Sequence, residues 1–377
     1  MTIHILELTA VEFTYDKFVH NITLYLHSRG LQVSIAFNNT TSSSSASNAY
    51  NFPFYSLPIY RNFNLIAIFK AASQLKYLTS AQSVDVVHCH SPAASLVARV
   101  ARFLGMNSKV LYTVHGFYFH DQMARLPYCL YFAVEYILAF FTDAFTFVSR
   151  EDYELAVRFK LSSNLNLHHI PNGVNVNIFS QCNNSRTNHI VNKPIVLGIA
   201  SRLVHEKGIP ELIHAISLLF AVNPNIQLRI CGEALDSDRD SSGIPCLIDA
   251  LSELYPNRIE VLGMLPSHEM PSFYQSLDIF ILPSRREGLP MVLIEAQSCG
   301  LIVVATSIRG CREIILDSHN GFLFPLSDSY QLYVLLSSII NSRTDLDLVK
   351  SQARFNAQLN YNQINILPEY FNVICGL

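Results

Sequence analysis

The chain has 377 residues, of which half are hydrophobic and 15% are charged, so it holds enough apolar material for two domains of ordinary size. The net charge of −3 argues against a nucleic-acid partner, and no unbroken run of 18 or more apolar residues predicts a transmembrane helix. The eight cysteines have no paired spacing and the start, MTIHILEL, lacks a basic leader, so we expect reduced thiols in a cytoplasmic protein.

Short apolar runs alternate with helix-length segments, which is the pattern of parallel α/β architecture. In the first half we predict strands at Ile3 to Leu8, Val33 to Phe37, Val84 to Cys89, Val110 to Val114 and Phe145 to Val148, and helices at Asp16 to Ser28, Leu65 to Thr79, Pro92 to Leu104 and Pro127 to Phe141. In the second half we predict strands at Ile195 to Ala200, Gln227 to Cys231, Ile259 to Leu262, Ile279 to Leu282, Ile302 to Ala305 and Phe322 to Phe324. Two doubly wound parallel sheets are expected, with ligands at the carboxyl ends of the strands.

A weakly hydrophobic stretch at 180–193 separates the two sets of strands and is the predicted linker. We expect one domain at 1–174 and another at 175–359, with a terminal helix at about 360–377 that packs back on the first. The polar segment 39–48 is a predicted flexible loop.

The turn after the first strand, Thr9 to Phe13, lacks the G-x-G-x-x-G that a nicotinamide dehydrogenase carries there. Further on, VHCHSP ends a strand with His88 and His90 one residue apart. We interpret these imidazoles as pointing to opposite sides of the strand, which suits no metal, and we find no other ligand cluster near them. The sequence therefore predicts no metal site.

His115, in YTVHGF, stands where the next strand ends. An imidazole can donate a hydrogen bond to a sugar hydroxyl or a phosphate oxygen without a permanent charge, and the following glycine leaves room for a ligand. The alternative is a loop histidine bonded within the protein.

The stretch from Tyr128 to Val148 is apolar nearly all round. We expect a buried helix followed by a strand. A helix lying on a membrane is the alternative, but the stretch lacks the basic polar face of such helices.

Asn172 and Gly173, in IPNGV, form a turn signal, and Asn172 either positions a ligand or belongs to a simple hinge. The next motif, SRLVHEKG, offers Arg202, which can fork two hydrogen bonds to a phosphate, and Lys207, which adds a point charge. Such cations stabilise the charge that a departing diphosphate gains. Two solvated loop cations are the alternative.

Two strand-end glycines follow, Gly232 and the Gly263 that precedes Met264, and each lets the chain approach a ligand closely. The stretch IFILPSRREGLPMVLIEAQSCG then predicts a strand, a polar turn and a helix whose first residue is Pro290. The helix start leaves free backbone amides that favour an anion, at Leu289, Met291 and Val292.

Glu287 precedes those amides, and Glu295 follows it inside the helix with seven residues between them. In the context EGLPMVLIEAQSCGLIVVAT, this spacing resembles the Glu-x7-Glu motif of the family 4 retaining glycosyltransferases. Those enzymes have the GT-B fold, two Rossmann-like domains that face each other across a cleft. The R-x4-K-G and P-N-G-V segments are similar to that family too. The resemblance is clearest from about Asp85 to Pro325.

The resemblance implies an acceptor-binding domain at 1–174 and a nucleotide-sugar-binding domain at 175–359. It implies that Glu287 holds the hydroxyls of the donor sugar, with His115 on the other face, and that Glu295 accepts hydrogen bonds from the ribose. Further implied donor contacts are those of Arg202 and Lys207 to the diphosphate, and of Gly288, Leu289, Met291, Val292, Met264, Gly232 and Asn172. Implied acceptor-side residues are His90, His120 and Asp121.

The implied activity is a retaining, metal-independent transfer that needs no cofactor, from a nucleotide-diphosphate sugar to a saccharide. We expect a UDP-sugar donor and a lipid-linked acceptor of capsule or exopolysaccharide synthesis, with peripheral contact to the inner face of the cytoplasmic membrane left open. Two alternatives remain, a nucleotide-sugar epimerase or hydrolase on the same fold, and a non-catalytic donor-binding subunit. The missing glycines after the first strand would fit the second.

Overall fold

The computed structural model describes residues 2–38, 51–60, 64–119, 123–161, 166–181, 194–234, 238, 240–342 and 346–377. The chain forms two compact units, Met1–Asn172 together with Ile364–Leu377, and Gly173–Gln363. The predicted loop at 39–48 and most of the predicted linker at 180–193 lie outside the described residues. Ser180, at the start of that linker, belongs to the second unit, where its carbonyl accepts a hydrogen bond of 2.8 Å from Gln275 Nε2.

The first unit contains a seven-stranded sheet in the order β3-β2-β1-β4-β5-β6-β7, with all described pairs parallel. Its strands are β1 His4–Leu8, β2 Gln32–Phe37, β3 Phe54–Ser56, β4 Val86–Cys89, β5 Lys109–Val114, β6 Ala144–Phe147 and β7 Asn166–His169. Its helices are α1 Glu12–Thr14, α2 His20–Ser28, α3 Leu65–Ala81, α4 Pro92–Phe103, α5 Arg125–Ala139 and α6 Arg150–Arg158. The five predicted strands are confirmed, and the two additional ones are short edge strands.

The second unit contains a six-stranded parallel sheet in the order β10-β9-β8-β11-β12-β13. Its strands are β8 Ile195–Ala200, β9 Ile226–Cys231, β10 Ile259–Gly263, β11 Ile279–Leu282, β12 Ile302–Thr306 and β13 Phe322–Phe324. Its helices are α7 Ile209–Val222, α8 Ile244–Leu254, α9 Met270–Gln275, α10 Met291–Ser298, α11 Cys311–Ile314, α12 Ser329–Asn341 and α13 Leu346–Asn360. The last helix, α14 Gln363–Cys375, buries Ile366, Tyr370 and Ile374 in the core of the first unit.

In both sheets the first strand lies inside, with later strands added on both sides, which is the doubly wound arrangement predicted from the alternating pattern. The inner strands are covered on both faces, and most of their residues are buried and apolar.

The helical segment after β1 departs from the prediction of one regular helix at 16–28. A π-helix, Tyr15–Val19, stands between α1 and α2. Each π turn holds more residues than an α turn, and such segments occur frequently at functional sites. Tyr15 and Val19 of this segment are buried in the core of the unit.

The prediction of a buried helix within 128–148 is wrong. In α5 only Ala139 is fully buried, whereas Leu126, Leu130, Val134 and Ile137 are exposed by 40% or more. The other side of α5 packs on the core through aromatic residues, and Glu135 accepts a 2.7 Å ion pair from the buried Arg99. The helix is apolar on both faces, so its sequence gave no sign of which face is turned outward. Within the described ranges, no helix has both the length and the apolar character needed to cross a membrane.

Candidate functional sites of the two units

In the second unit, the loops that follow β8 and β11 bring two predicted site residues into contact. Lys207 Nζ lies 2.7 Å from Glu287 Oε1, and both side chains are mostly buried, with 16% and 14% exposed. Parallel strands that are neighbours in a sheet end at the same edge, which is why residues 80 positions apart meet here. The arrangement places one cation and one carboxylate side by side at the carboxyl edge of the sheet.

The two loops are joined by their backbones as well. The amide of Arg285 donates a 2.8 Å hydrogen bond to the carbonyl of Glu206. Gly208 has a positive φ of 68°, and a Cβ at this position would overlap the carbonyl oxygen of Pro283. Only glycine therefore allows the approach that holds Lys207 against the β11 loop.

Arg202 is exposed by 42% and is paired with acids in this structure. Its Nη1 lies 2.5 Å from Asp238 Oδ1, and its Nη2 lies 3.9 Å from Glu206 Oε2. The side chain of Glu206 is 36% exposed, whereas that of Asp238 is only 9% exposed. The guanidinium itself is open to solvent, so it can turn to a phosphate by leaving these partners.

The start of α10 differs by one position from the prediction. Pro290 is the N-cap, with φ −74° and ψ 102°, and the helix begins at Met291. The amides of Met291 and Val292 lie in the first turn and donate to no protein acceptor within the described chain. The amides of Met291 and Val292 are thus free at the helix start, as predicted, and the helix begins one residue later than predicted.

Glu295 lies in the second turn of α10 and accepts a 2.6 Å hydrogen bond from the hydroxyl of Tyr274. Burial, and after it the charge of Glu295, raises the pKa of Tyr274 well above its ordinary value, so the phenol stays a neutral donor. The carboxylate is thus held by one oxygen, and its other oxygen retains capacity to accept further hydrogen bonds.

The two strand-end glycines differ in what they do. Gly232 has a φ of 123°, and a Cβ here would overlap the carbonyl oxygen of Ser201, so the chain itself needs this glycine. A Cβ at Gly263 would meet nothing within 4 Å, although its φ of 67° favours glycine. Met264, next to it, is exposed by 54%.

In the first unit, the interpretation that His88 and His90 point to opposite sides of β4 is wrong. Residues two apart in a strand share a face, and the two rings lie 3.9 Å apart. Both rings contact the carboxylate of Glu7 from β1, which lies opposite His88 in the sheet. The statement that no further ligand cluster lies nearby is wrong too, because donor atoms of these three buried residues lie within 4.8 Å of one another.

His115 follows β5 at the same edge, with its ring 5.8 Å from that of His90 and 5.0 Å from that of Phe18. Both ring nitrogens are buried without a hydrogen-bond partner among the described residues. Burial, together with the charges of His90 and His88, lowers the pKa of His115 to about 3, so the imidazole is neutral near pH 7. The predicted alternative, a histidine bonded within the protein, does not describe this residue.

The remaining predicted residues are less informative. Asn172 is buried at the last position of the first unit. His120 and Asp121 lie outside the described residues.

Sequence reasoning missed two residues, Glu7 and Tyr274. Glu7 stands between two leucines of the buried strand HILEL, and an acid in such a position is the signal that could have found it. Tyr274 lies in a short helix with no motif around it, and only the fold brings it to Glu295.

Comparison with known families decides what this pair of units is. The model for Glycosyltransferase Family 4 matches residues 16–178, and the model for Glycosyl transferases group 1 matches residues 181–358. The chain is a family 4 glycosyltransferase. The family resemblance inferred from Glu287, Glu295 and the Arg202 segment is thereby confirmed.

This glycosyltransferase is similar to named bacterial glycosyltransferases. It is 26% identical over 281 residues to the UDP-Gal:alpha-D-GlcNAc-diphosphoundecaprenol alpha-1,3-galactosyltransferase of Escherichia coli, covering 71% of this chain and 69% of that protein. It is 21% identical to the capsular polysaccharide biosynthesis glycosyltransferase CapM of Staphylococcus aureus, over 84% of each chain.

The glycosyltransferase also resembles the solved structure of HepE from Anabaena in complex with UDP and glucose. The TM-score is 0.79 at 18% identity, with 100% of both chains covered. At this identity the likeness concerns the fold, and together with the two parallel sheets it confirms the GT-B fold expected from the sequence.

Proposed function

We propose that this glycosyltransferase moves a sugar from a UDP-sugar to a lipid-linked saccharide in the synthesis of a cell-surface polysaccharide, with retention of configuration and without a metal. The observation that carries the donor half of the proposal is the contact of Lys207 with Glu287 beside the free amides of α10. The relative from Escherichia coli, whose name specifies a UDP-sugar and a diphosphoundecaprenol acceptor, supports the donor nucleotide and the lipid carrier.

In this proposal Arg202 and Lys207 bind the diphosphate, with the amides of Met291 and Val292. Arg202 leaves its acidic partners, and Lys207 shares its charge between Glu287 and a phosphate oxygen. The three groups neutralise the negative charge that grows on the leaving nucleotide, which is the task a divalent cation performs in other transferases. A metal is therefore not required for the donor chemistry.

Glu287 binds hydroxyls of the donor sugar, and the adjacent ammonium of Lys207 holds its carboxylate in place. Glu295, held by Tyr274, accepts hydrogen bonds from the ribose hydroxyls. His115 binds a hydroxyl of a substrate sugar through a nitrogen that has no protein partner. The acceptor oxygen bonds to the anomeric carbon on the side of the leaving group, the bond from that carbon to the phosphate oxygen breaks, and the departing phosphate takes the acceptor's proton.

The exposed apolar face of α5 is the proposed contact with the membrane that carries the acceptor. Leu126, Leu130, Val134 and Ile137 follow one another at helical spacing, so they form a single stripe. A stripe of this kind inserts into the boundary between lipid headgroups and acyl chains.

The membrane contact is tested by sedimentation with vesicles of bacterial polar lipid. Leu126→Glu combined with Leu130→Glu should abolish co-sedimentation, since it places two charges on the inserted stripe. The matched control is Leu254→Glu, at a leucine of similar exposure in the second unit. Equal binding by both variants would remove α5 from the contact.

The function itself is tested by nucleotide release from UDP-, GDP- and TDP-sugars, with and without a lipid extract. We expect release of UDP that depends on the extract and persists in EDTA, and an α-linked product from an α-linked donor. Release without an acceptor would indicate a hydrolase or epimerase. Binding of a donor without release under any condition would indicate a non-catalytic subunit.

A further inference from the structure

The first unit contains a buried polar network at the carboxyl edge of its sheet. Glu7 Oε2 lies 2.6 Å from His90 Nε2 and 3.0 Å from His88 Nδ1. The other nitrogen of His88, Nε2, lies 2.7 Å from Thr113 Oγ1, which lies 2.5 Å from Thr146 Oγ1. Glu7 and its partners thus cross four neighbouring strands on one face, and the three residues Glu7, His88 and His90 are buried.

The carboxylate of Glu7 fixes where the protons of its neighbours are. Burial would raise the pKa of Glu7, but the charge and hydrogen bonds of His88 and His90 outweigh it and lower the pKa to about 2. An ionised carboxylate can only accept hydrogen bonds, so His90 must donate to it from Nε2. Burial, followed by the charge of His88, lowers the pKa of His90 to about 4, so this imidazole carries a single proton near pH 7. His90 Nδ1 is therefore left without a proton.

His90 Nδ1 can accept a hydrogen bond but receives none from any described residue, and the neighbouring ring of His115 could supply one. His90 Nδ1 is buried without a partner among the described residues, and so are both nitrogens of His115. The centroids of the two rings are 5.8 Å apart, and no hydrogen bond joins them. Hydrogen bonds of this kind often tighten only when substrate is bound.

The distances between Glu7, His88 and His90 fit hydrogen bonds better than they fit coordination of a metal ion. Metal bonds of about 2.0–2.2 Å at tetrahedral angles would hold neighbouring ligand atoms roughly 3.3 Å apart. The 2.6 Å from Glu7 Oε2 to His90 Nε2 is instead the length of a charge-assisted hydrogen bond.

We propose that Glu7 is a positioning residue that acts through His90 on His115. It holds the proton of His90 on Nε2, so that Nδ1 accepts a hydrogen bond from one nitrogen of His115. That bond selects the tautomer of His115 and leaves its second nitrogen as an acceptor for a sugar hydroxyl. This inference rests on the proposed role of His115 in substrate binding.

The first test needs no variant and no activity. Long-range ¹H–¹⁵N spectra of histidine-labelled enzyme at pH 7.5 distinguish an Nε2–H from an Nδ1–H imidazole. We expect the Nε2–H form for His90, and a single tautomer for His115 once UDP-sugar is bound. An Nδ1–H form of His90 would overturn the proposal, as would stoichiometric uptake of Zn²⁺ that removes the Nε2 proton. Because this readout does not use turnover, it stands or fails independently of the transferase assay.

The second test is Glu7→Gln, which keeps the size of the side chain but adds a donor. We expect a mixture of His90 tautomers and a roughly 10²-fold lower kcat, as for other misplaced groups. In a His115→Ala background the same change should have no further effect, because the two residues act through one another. An equal loss in both backgrounds would show a role in folding alone.

His4→Gln is the matched control for the second test. His4 is a buried histidine of the same strand that bonds to Ser34 and to the carbonyl of Gln82, away from the network. We expect this control to leave both tautomers unchanged. A shift of the His90 tautomer in the control equal to that in Glu7→Gln would overturn the assignment to Glu7.

Discussion

The candidate sites of the two units hold their charged groups in opposite ways. In the first unit a fully buried carboxylate is held by two imidazoles, and no arginine or lysine pairs with it among the described residues. In the second unit, the side chains of Arg202 and Glu206 are 42% and 36% exposed to solvent. Those of Lys207 and Glu287 are 16% and 14% exposed. The buried network can change only by moving a proton, whereas the open one can exchange its partners for a ligand. The first arrangement is suited to fixing a geometry, and the second to binding an anion that comes and goes.

The largest effect is expected when the carboxylate charge of Glu287 is removed from the site of the second unit. Glu287→Gln should lower turnover by roughly 10²–10³-fold, since the donor sugar loses its ionised partner. Binding of UDP should be largely unchanged, because Lys207 remains. Turnover and UDP affinity are measured on the same preparation, with Glu211→Gln as control. Glu211 forms an ion pair of 2.6 Å with Arg285 in the same unit. Normal turnover in Glu287→Gln would remove this residue from the site.

A smaller effect is expected when the exposed cation is removed. Arg202→Ala should weaken UDP binding by roughly 10- to 100-fold, the range for a charge-assisted hydrogen bond. The protein should also lose some stability, since the carboxylate of Asp238, which is only 9% exposed, loses its partner. Calorimetric titration with UDP measures the affinity. The matched variant is Arg285→Ala, at an arginine of similar exposure that pairs with Glu211. If both variants bound UDP equally, the phosphate contact would lie elsewhere.

The burial of His90 and His115 should make the stability of the protein depend on pH. The pKa of His90 is lowered to about 4 and that of His115 to about 3, both by burial first. Below pH 6.5 these two histidines bind protons in the unfolded chain but not in the folded one. The free energy of unfolding therefore falls as the pH falls from 6.5 towards 4. Each histidine contributes roughly 1.4 kcal/mol per pH unit in this window.

Urea unfolding between pH 7.5 and 5 measures this loss. His88 and Glu7 act electrostatically on His90, and His90 and His88 act on His115. Glu7, whose pKa is lowered to about 2, adds a further loss of stability only below pH 4.5. His115→Asn should reduce the change of unfolding free energy per pH unit by the contribution of one histidine. An unfolding free energy that does not change with pH in this window would contradict the lowered pKa values of His90 and His115.

The same contrast explains what the sequence could predict. The site of the second unit was recognisable because its signals are local, a strand, a polar turn and a helix start within 22 residues. The sheets were predictable because their buried strands are continuous apolar runs. Even there, the pairing of Lys207 with Glu287 joins positions 80 residues apart and came only from the order of the strands.

The network of the first unit could not be assembled in that way. Glu7 is separated by 81 residues from His88, and the sequence around Glu7 does not indicate which residue pairs with it. The error over His88 and His90 was one of geometry, since alternation along a strand places both on one face. The exposed side of α5 was hidden for another reason, because hydrophobicity alone does not distinguish a face packed on a core from one that meets lipid.

The π-helix at Tyr15–Val19 makes the length of the first β-to-α connection as important as its composition. Phe18 of this segment touches the ring of His115, while Val19 belongs to the core. Deleting a single residue here would let the helix close in the α form and would turn one side of the segment by about 100° relative to the other. Either Phe18 would leave His115 or Val19 would leave the core. Substitutions in this segment are therefore better tolerated than the loss of one residue.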